Sequence, residues 1–498
     1  MKTNLNVDTQ ALREKILDLA MRGKLVKQDA GDEPASVLLE KIKAEKAELV
    51  KEGKIKKSKK LPEITEDEKP FDIPDSWEWV RLGDVSSIHN GDRGKNYPGK
   101  KYWIEEGIPF VNAGALGNSM IVDHQQLNYI SEDRYKMLRA GFINKGDIFF
   151  CIRGSLGKCA ISDIEIGAIA SSLAIIRVIL LSTEYVYFAL RSSLGQMFIN
   201  EHRNGSAQPN IPGKDLYNFL IPLPPLAEQK RIADKVSELF KQVDIIEKNV
   251  AEYQDLEQAM RSKLLDLAMR GKLVEQDPSD EPASELLKKI QAEKAELVRV
   301  GKIKKSKKLP EITDDEKPFD IPDSWEWVRL GELLIPEVSK SPTEDFVYLD
   351  IASINNKINK IIDPKTINIK KEKVPSRARM VVESGDILFS LVRPYLRNIA
   401  MVPKSSSNLV ASTGFYVMKP YKMVNFKYLF YTMLSDYVVT GLTDRYMKGD
   451  NSPSIKKGDL QSYVVPLPPL AEQKRIADKL TRLFEDLDTI KQNLATVS

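Results

Sequence analysis

The fourteen residues PLPPLAEQKRIADK stand at 222–235 and again, unchanged, at 466–479. A second block, KILDLAMRGKLV…DIPDSWEWVRLGDV at 15–85, returns at 263–333 with 12 differences in 71 positions. Near-identical sequence specifies the same local structure twice, so the repeat constrains the fold before any local propensity does. Between the repeated blocks lie 86–220 and 334–464, similar in length and with little identity. The order is constant, variable, constant, variable, constant. The central constant region, 221–333, holds both block types; the N-terminal region has only its second half and the C-terminal region only its first. Joining residue 498 to residue 1 rebuilds a second central copy, so the expected architecture is a pseudo-two-fold circular repeat.

The seam of the repeat falls in a helix. No proline occurs from 226 to 274, and no glycine before Gly271. Apolar residues recur at Ile232, Val236, Leu239, Val243, Ile246, Val250 and Tyr253, in alternating steps of four and three, the seam of a coiled coil. The pattern resumes at Met260, Leu264 and Leu267. It returns at Ile476, Leu480, Leu483, Leu487, Ile490 and Leu494, and in Leu5, Leu12, Ile16 and Leu19. The expected partner of the central helix is the chain's own other copy, set antiparallel. A helix of roughly 49 residues is on the order of 70 Å long. A second helix is expected in DEPASVLLEKIKAEKAELVKEG, with Pro34 at its first turn and Gly53 past its end. The run GKIKKSKKLP at 53–62, repeated at 301–310, reads as a solvated linker, with nucleic-acid contact as the alternative. Next comes FDIPDSWEWVRLG, whose alternation predicts a strand entering a new domain, its tryptophans read as core.

The apolar content of 42% supplies real cores, and no run of eighteen apolar residues is present to cross a membrane. The start, MKTNLNVDTQ, does not read as a signal peptide. Two cysteines, Cys151 and Cys159, and three histidines, His89, His124 and His202, lack zinc-ligand spacing, so neither a disulfide framework nor a metal site is expected. A cytoplasmic location fits that cysteine usage. Net charge is +4, compatible with nucleic acid. Residues 86–220 hold 14 Lys and Arg against 12 Asp and Glu; residues 334–464 hold 19 against 12, so the second variable segment is the more basic.

Each variable segment reads as a mixed α/β domain, which makes the fold class α/β (α+β): two globular domains separated by long antiparallel coiled-coil helices. Each has a turn-and-strand unit, KGDIFFCIRG at 145–154 and SGDILFSLVRP at 384–394. A helical stretch follows, near 183–202 and 425–440, then a polar loop, HRNGSAQPN at 202–210 and RYMKGDNSPS at 445–454. No catalytic motif emerges. GSLGK at 154–158 is too short for a phosphate loop, no Asn/Asp-Pro-Pro-aromatic motif follows either Pro-Pro pair, and no nucleophile elbow is present. Two near-identical frames with two unlike inserts suit the reading of two different targets at a set spacing.

PLPPLAEQ followed by KRIADK, twice, flanking two divergent domains each opened by IPDSW, resembles the DNA-specificity subunits of type I restriction–modification systems, over essentially the whole chain. The resemblance implies a conserved helical segment at 1–70, target recognition domains at 71–224 and 319–468, a coiled-coil spacer at 225–318 and a last conserved helix at 469–498. Each recognition domain is then expected to read one half of a bipartite, asymmetric site in double-stranded DNA. The helices are expected to space the domains and to dock two modification (methyltransferase) and two restriction (translocase/nuclease) subunits. The chain itself is expected to be non-catalytic and without a cofactor; S-adenosylmethionine, ATP and magnesium belong to the partners. A related system with fused nuclease–methyltransferase partners, or a stand-alone DNA-modifying enzyme, is the alternative. Phosphate contacts call for Arg, Lys or small polar groups, and base edges for Arg, Lys, Asn and Gln. The candidates in the first domain are Arg153, Ser155, Lys158, Arg203, Asn204, Ser206, Gln208 and Asn210. Those in the second are Arg393, Tyr395, Arg397, Arg445, Lys448, Asn451 and Ser454.

Overall fold

The structure is a computed structural model describing residues 8–497 except 58, 206–208, 306 and 405–407, and side chains as far as 493. Leu5 and the side chain of Leu494 lie outside the described residues. Two compact units divide the chain between Asn249 and Val250.

The first unit opens with α1 (Thr9–Met21), capped by the Asp8 carboxylate, and α2 (Ala35–Lys51), entered through Pro34. Its variable part runs β1 (Glu78–Arg81), α3 (Leu82–Val85), β2 (Ser86–Asn90), β3 (Ile108–Val111), β4 (Asn128–Ile130), α4 (Glu132–Lys136), β5 (Ile148–Cys151), β6 (Cys159–Ile161), β7 (Ala168–Ile169), β8 (Leu173–Val178), α5 (Thr183–Arg191), α6 (Ser193–His202) and β9 (Leu220–Leu223). Helix α7 (Leu226–Met269) starts directly after Pro224 and Pro225 and passes from this unit into the second.

The second unit repeats the plan. It has α8 (Ala283–Arg299), β10 (Glu326–Arg329), β11 (Leu334–Ile335), β12 (Phe346–Leu349), β13 (Ile354–Asn355), β14 (Lys360–Ile361), β15 (Lys365–Ile367), β16 (Ala378–Val381), β17 (Ile387–Ser390), β18 (Ile399–Met401), β19 (Leu409–Ser412) and β20 (Phe415–Pro420). It closes with α9 (Phe426–Leu434), α10 (Asp436–Tyr446), α11 (Lys457–Ser462), β21 (Val464–Leu467) and α12 (Leu470–Val497).

The repeated motifs meet each other. The strand from DSWEWVR, β1, pairs antiparallel with the proline-bearing strand β9, Glu78 opposite Leu223 and Arg81 opposite Leu220. Its counterpart β10 pairs with β21, Glu326 opposite Leu467 and Arg329 opposite Val464. Each two-stranded ribbon thus ties the entry of a variable domain to its exit. Prolines are tolerated there because neither ribbon has a third strand needing the missing N–H. Within each domain an antiparallel sheet, ordered β2-β8-β5-β6 or β11-β20-β17-β18, carries the main core. A second sheet, three-stranded β4-β3-β7 or four-stranded β15-β12-β19-β16, contains one parallel pair. The core of each unit is continuous from constant helices to sheet: Leu17, Met21, Leu38, Trp77, Phe150, Phe188, Ile232 and Val236 belong to one cluster in the first.

One expectation holds and two change. The central helix is covered by the chain's own other copy, antiparallel as expected and supplied in two pieces, α1 and α12. Its first part lies antiparallel to α1, where Arg13 caps the Phe240 ring at 5.0 Å and pairs with Asp244 and Glu247. Its last part lies antiparallel to α12, where Arg261 sits 4.8 Å from the Phe484 ring and 2.6 Å from Asp488. The apolar seam holds at Ile232, Val236, Val243, Ile476, Leu480 and Leu487, which are buried. It is looser at Leu239, Val250 and Leu483, half-buried, and opens at Ile246 and Ile490, which are exposed. Between Tyr253 and Met260 the seam position belongs to Glu257, 9% exposed and held by Lys491 at 2.9 Å and Arg261 at 3.0 Å. Finally, each expected long helix in the variable domains is two helices, because Ser192 and Ser435 end one and cap the next through their hydroxyls.

Candidate nucleic-acid interface

What holds each domain on its helix is the AEQKR segment. Glu228 is buried; its carboxylate accepts from the Trp77 indole at 2.9 Å and the Gln28 amide at 2.6 Å. Burial pushes that carboxyl above the usual glutamate range. Gln229 accepts from the Ser182 backbone N–H at 3.0 Å, at the start of α5, and donates to the Pro224 carbonyl at 2.9 Å. Arg231 pairs with Asp32 at 2.6 Å. The second unit copies this with Glu472 to Trp325 at 2.9 Å, Gln473 to the Asn425 N–H at 2.8 Å, and Arg475 to Asp280 at 2.7 Å. The repeated motif is therefore a joint, which explains why it is repeated letter for letter.

The joint fixes the sheet, and the sheet projects the candidate residues. In the first unit the loop between β5 and β6 is laced to the loop after α6. The Gly154 N–H donates to the Pro209 carbonyl at 2.9 Å, and the Ile211 N–H to the Ile152 carbonyl at 2.9 Å. Asn204 and Asn210 exchange both backbone hydrogen bonds at 2.9 Å. Arg153 Nε reaches Asn210 Oδ1 at 3.4 Å. Two loops about fifty residues apart in sequence thereby become one platform. Ser155, Lys158, Arg203 and Asn204 are exposed on it, and Arg153 and Asn210 are half-buried. Ser206 and Gln208 lie outside the described residues.

The second platform is laced identically. The Arg393 N–H donates to the Pro453 carbonyl at 2.7 Å, the Ile455 N–H to the Leu391 carbonyl at 3.0 Å, and Lys448 and Ser454 exchange backbone hydrogen bonds at 3.0 and 2.9 Å. Arg393 also donates to the Asn451 carbonyl at 3.1 Å. Arg393, Tyr395, Arg445, Lys448 and Asn451 are exposed, and Ser454 is half-buried. Arg393 takes the position that Gly154 has in the first platform, and both are left-handed, at φ 49° and 83°. Arg397 is left-handed too, at φ 52°. Such backbone costs of order 1–3 kcal/mol per non-glycine residue and persists only where the surroundings impose it. Arg397 is spent inside the protein: it donates to the Leu434 carbonyl at 2.6 Å and pairs with Asp436 at the start of α10.

Sequence reasoning passed over other exposed groups. Arg379 points outward from the edge strand β16, between the buried Ala378 and Met380, with the exposed Arg377 beside it. Tyr102 is exposed under the Arg134 guanidinium, 3.6 Å from the ring centroid. The alternation in ARMV was the available signal for Arg379; no local pattern marked Tyr102. Among the described residues no group of three or more His, Cys, Asp or Glu is placed to hold a metal, and no helix is long and apolar enough to cross a membrane. Exposed cations, amides and hydroxyls on rigid platforms can bond phosphates and base edges.

The family described as type I restriction modification DNA specificity domain matches this chain twice, at residues 74–253 and 322–498. Two Escherichia coli proteins, the EcoAI and EcoEI type I restriction enzyme specificity subunits, are each 32% identical to it, over 97% of this chain and 90% of their own. The solved HsdS subunit from Thermoanaerobacter tengcongensis covers 86% of this chain and 98% of its own, with TM-score 0.50 and 21% identity. A chain from a structure describing complex assembly and conformational transition of the type I R-M system gives TM-score 0.56 at 22% identity, over 86% and 95%. Both share the fold.

Proposed function

This chain belongs to the type I restriction–modification DNA specificity family, and from that premise we propose that its two platforms read the two halves of a bipartite, asymmetric DNA site. It is a specificity subunit, a recognition component and not a catalytic one, and its partners are DNA, methylase and restriction subunits. The observation that carries the proposal is the pairing of equal frames with unlike surfaces. The joints, ribbons and loop lacing coincide, while Arg153, Ser155 and Asn204 of the first platform correspond to Val392, Pro394 and Lys448 of the second. Equal frames present both surfaces to DNA in the same way; unlike side chains give each its own sequence.

Helix α7 then acts as the spacer between the two readers. The constant helices dock two modification and two restriction subunits, in the cytoplasm. S-adenosylmethionine, ATP and magnesium act on those partners, where a target adenine must leave the stack to be methylated. The chain co-purified with its modification subunits, incubated with S-adenosylmethionine and a random-sequence DNA library, should methylate two short sequences separated by a fixed, unread spacer. Methylation of a single contiguous sequence would defeat the proposal.

A further inference from the structure

The lysine run after each of α2 and α8 is fastened at both ends. Helix α2 ends at Gly53, at φ 73°, where the Lys54 and Ile55 N–H groups both bond the Leu49 carbonyl. Ile55 packs against the core. At the far end Arg81, 3% exposed, donates to the Pro62 carbonyl at 2.9 Å and the Glu63 carbonyl at 3.3 Å, and pairs with Glu68 at 2.9 Å. The same guanidinium reaches the Asn218 carbonyl at 3.4 Å, on the segment that returns from the recognition platform. The second copy is fastened alike: Lys302 and Ile303 bond the Leu297 carbonyl, and Arg329 holds the carbonyls of Pro310, Glu311 and Ser462. Each run, here called an arch, is thus tethered at both ends to its own unit.

Between the tethers Lys60 and Lys308 pair with Glu63 and Glu311, but the other lysines are unanswered among the described residues. Lys56, Lys57 and Lys59 are exposed and have no ion pair among the described residues; the same holds for Lys304, Lys305 and Lys307. Holding like charges close together in a segment tethered at both ends costs repulsion as well as chain entropy. A free linker would avoid both. The arrangement is suited to a dense line of negative charge. We propose that the two arches are phosphate clamps, gripping the DNA backbone without reading sequence. The inference rests on the DNA-reading role proposed above and adds a site to it. Lysine suits the task, being a flexible point charge with no planar fork for base edges.

The test uses the complex of the chain with its modification subunits. One variant carries Lys56, Lys57 and Lys59→Gln; a second carries Lys304, Lys305 and Lys307→Gln. All six side chains are exposed, so the fold is preserved. Affinity for duplex DNA holding the methylated site is measured from low to moderate salt. Neutralising three phosphate contacts should flatten the slope of log K against log salt by about 2.7. The methylated sequence should stay the same. An unchanged slope in both variants overturns the clamp. So does a loss of assembly with the modification subunits at unchanged slope, which would assign the arches to a protein surface. Failure of the unmodified complex to bind the site would instead overturn the DNA-reading role itself.

Discussion

The indole N–H of Trp77 donates to the buried carboxylate of Glu228 across 2.9 Å, joining residues 151 apart in sequence. Trp325 and Glu472 repeat the contact at the same distance. Through it the strand that enters each recognition domain is held to the helix that leaves it. Trp77→Phe keeps an aromatic ring but removes the donor and part of the indole, leaving a buried carboxylate oxygen short of a partner and a small void beside it. The expected cost is about 1–3 kcal/mol. Equilibrium denaturant unfolding measures it, and Trp325→Phe should cost the same. A cost below about 0.5 kcal/mol at both sites would mean that the ribbon alone holds the domains.

The GDI turns predict a difference in pH response. In the first unit Asp147 is held bidentate by Arg177, at 2.7 Å to each oxygen. In the second, Lys419 takes the place of Arg177 and pairs with Glu383 instead, and burial pushes Asp386 up to about 6. A carboxyl raised in the folded state contributes stability fully below its unfolded value of about 3.9, and that contribution is lost as pH rises through about 6. Asp386→Asn should therefore match the parent near pH 4 and be the more stable above pH 6. Hydrogen exchange in β17 and β20 across that range reads the difference. Equal slopes in parent and variant would contradict the assignment. Asp147→Asn should destabilise the first unit, since it strips Arg177 of its counter-charge.

Arg397 and Lys448 should separate by phenotype. Arg397 spends its guanidinium on Leu434 and Asp436, so Arg397→Ala should lower thermal stability, with binding lost only as the platform loosens. Lys448 is exposed, so Lys448→Ala should weaken DNA binding at unchanged melting temperature. Thermal denaturation beside a gel shift decides. A stable Arg397→Ala with altered sequence preference would make Arg397 a reader.

Much of this plan was legible in the sequence, and the reason is the repeat. It marked the strand in WEWV and the helix start after PLPP. The pairing of helices was legible because the repeat, closed from residue 498 to residue 1, supplies the second copy, of which α12 and α1 are the two pieces. The seam's openings at Ile246 and Ile490 were not, since a heptad period marks an apolar face and not how tightly it is covered. Ser192 and Ser435 went unread because a serine inside an apolar run leaves the period undisturbed while its hydroxyl ends one helix and caps the next. The lacing of 152–154 to 209–211 is a backbone contact between distant loops, and such contacts leave no periodicity to find. The candidate loops were found by composition alone, and so Arg397 entered with the rest.

The spacer role of α7 has its own test. Four residues inserted after Gln254 add roughly 6 Å along a helix. At ~3.4 Å per base pair, the unread spacer in the methylated site should lengthen by one or two base pairs, with some loss of affinity and both half-sites unchanged. Methylation mapping of the variant reports all three. An unchanged spacer with full activity would show that the helix is not the ruler.

Replacing residues 334–464 with the matching segment of a relative, within the unaltered frame of 221–333 and 465–498, tests the independence of the two readers most directly. The measurement is methylation mapping of DNA from cells carrying the exchanged chain with its modification subunits. One half of the methylated site should change and the other half should remain as it was. A change in both halves, or in neither, would contradict the account of two separate readers on one frame.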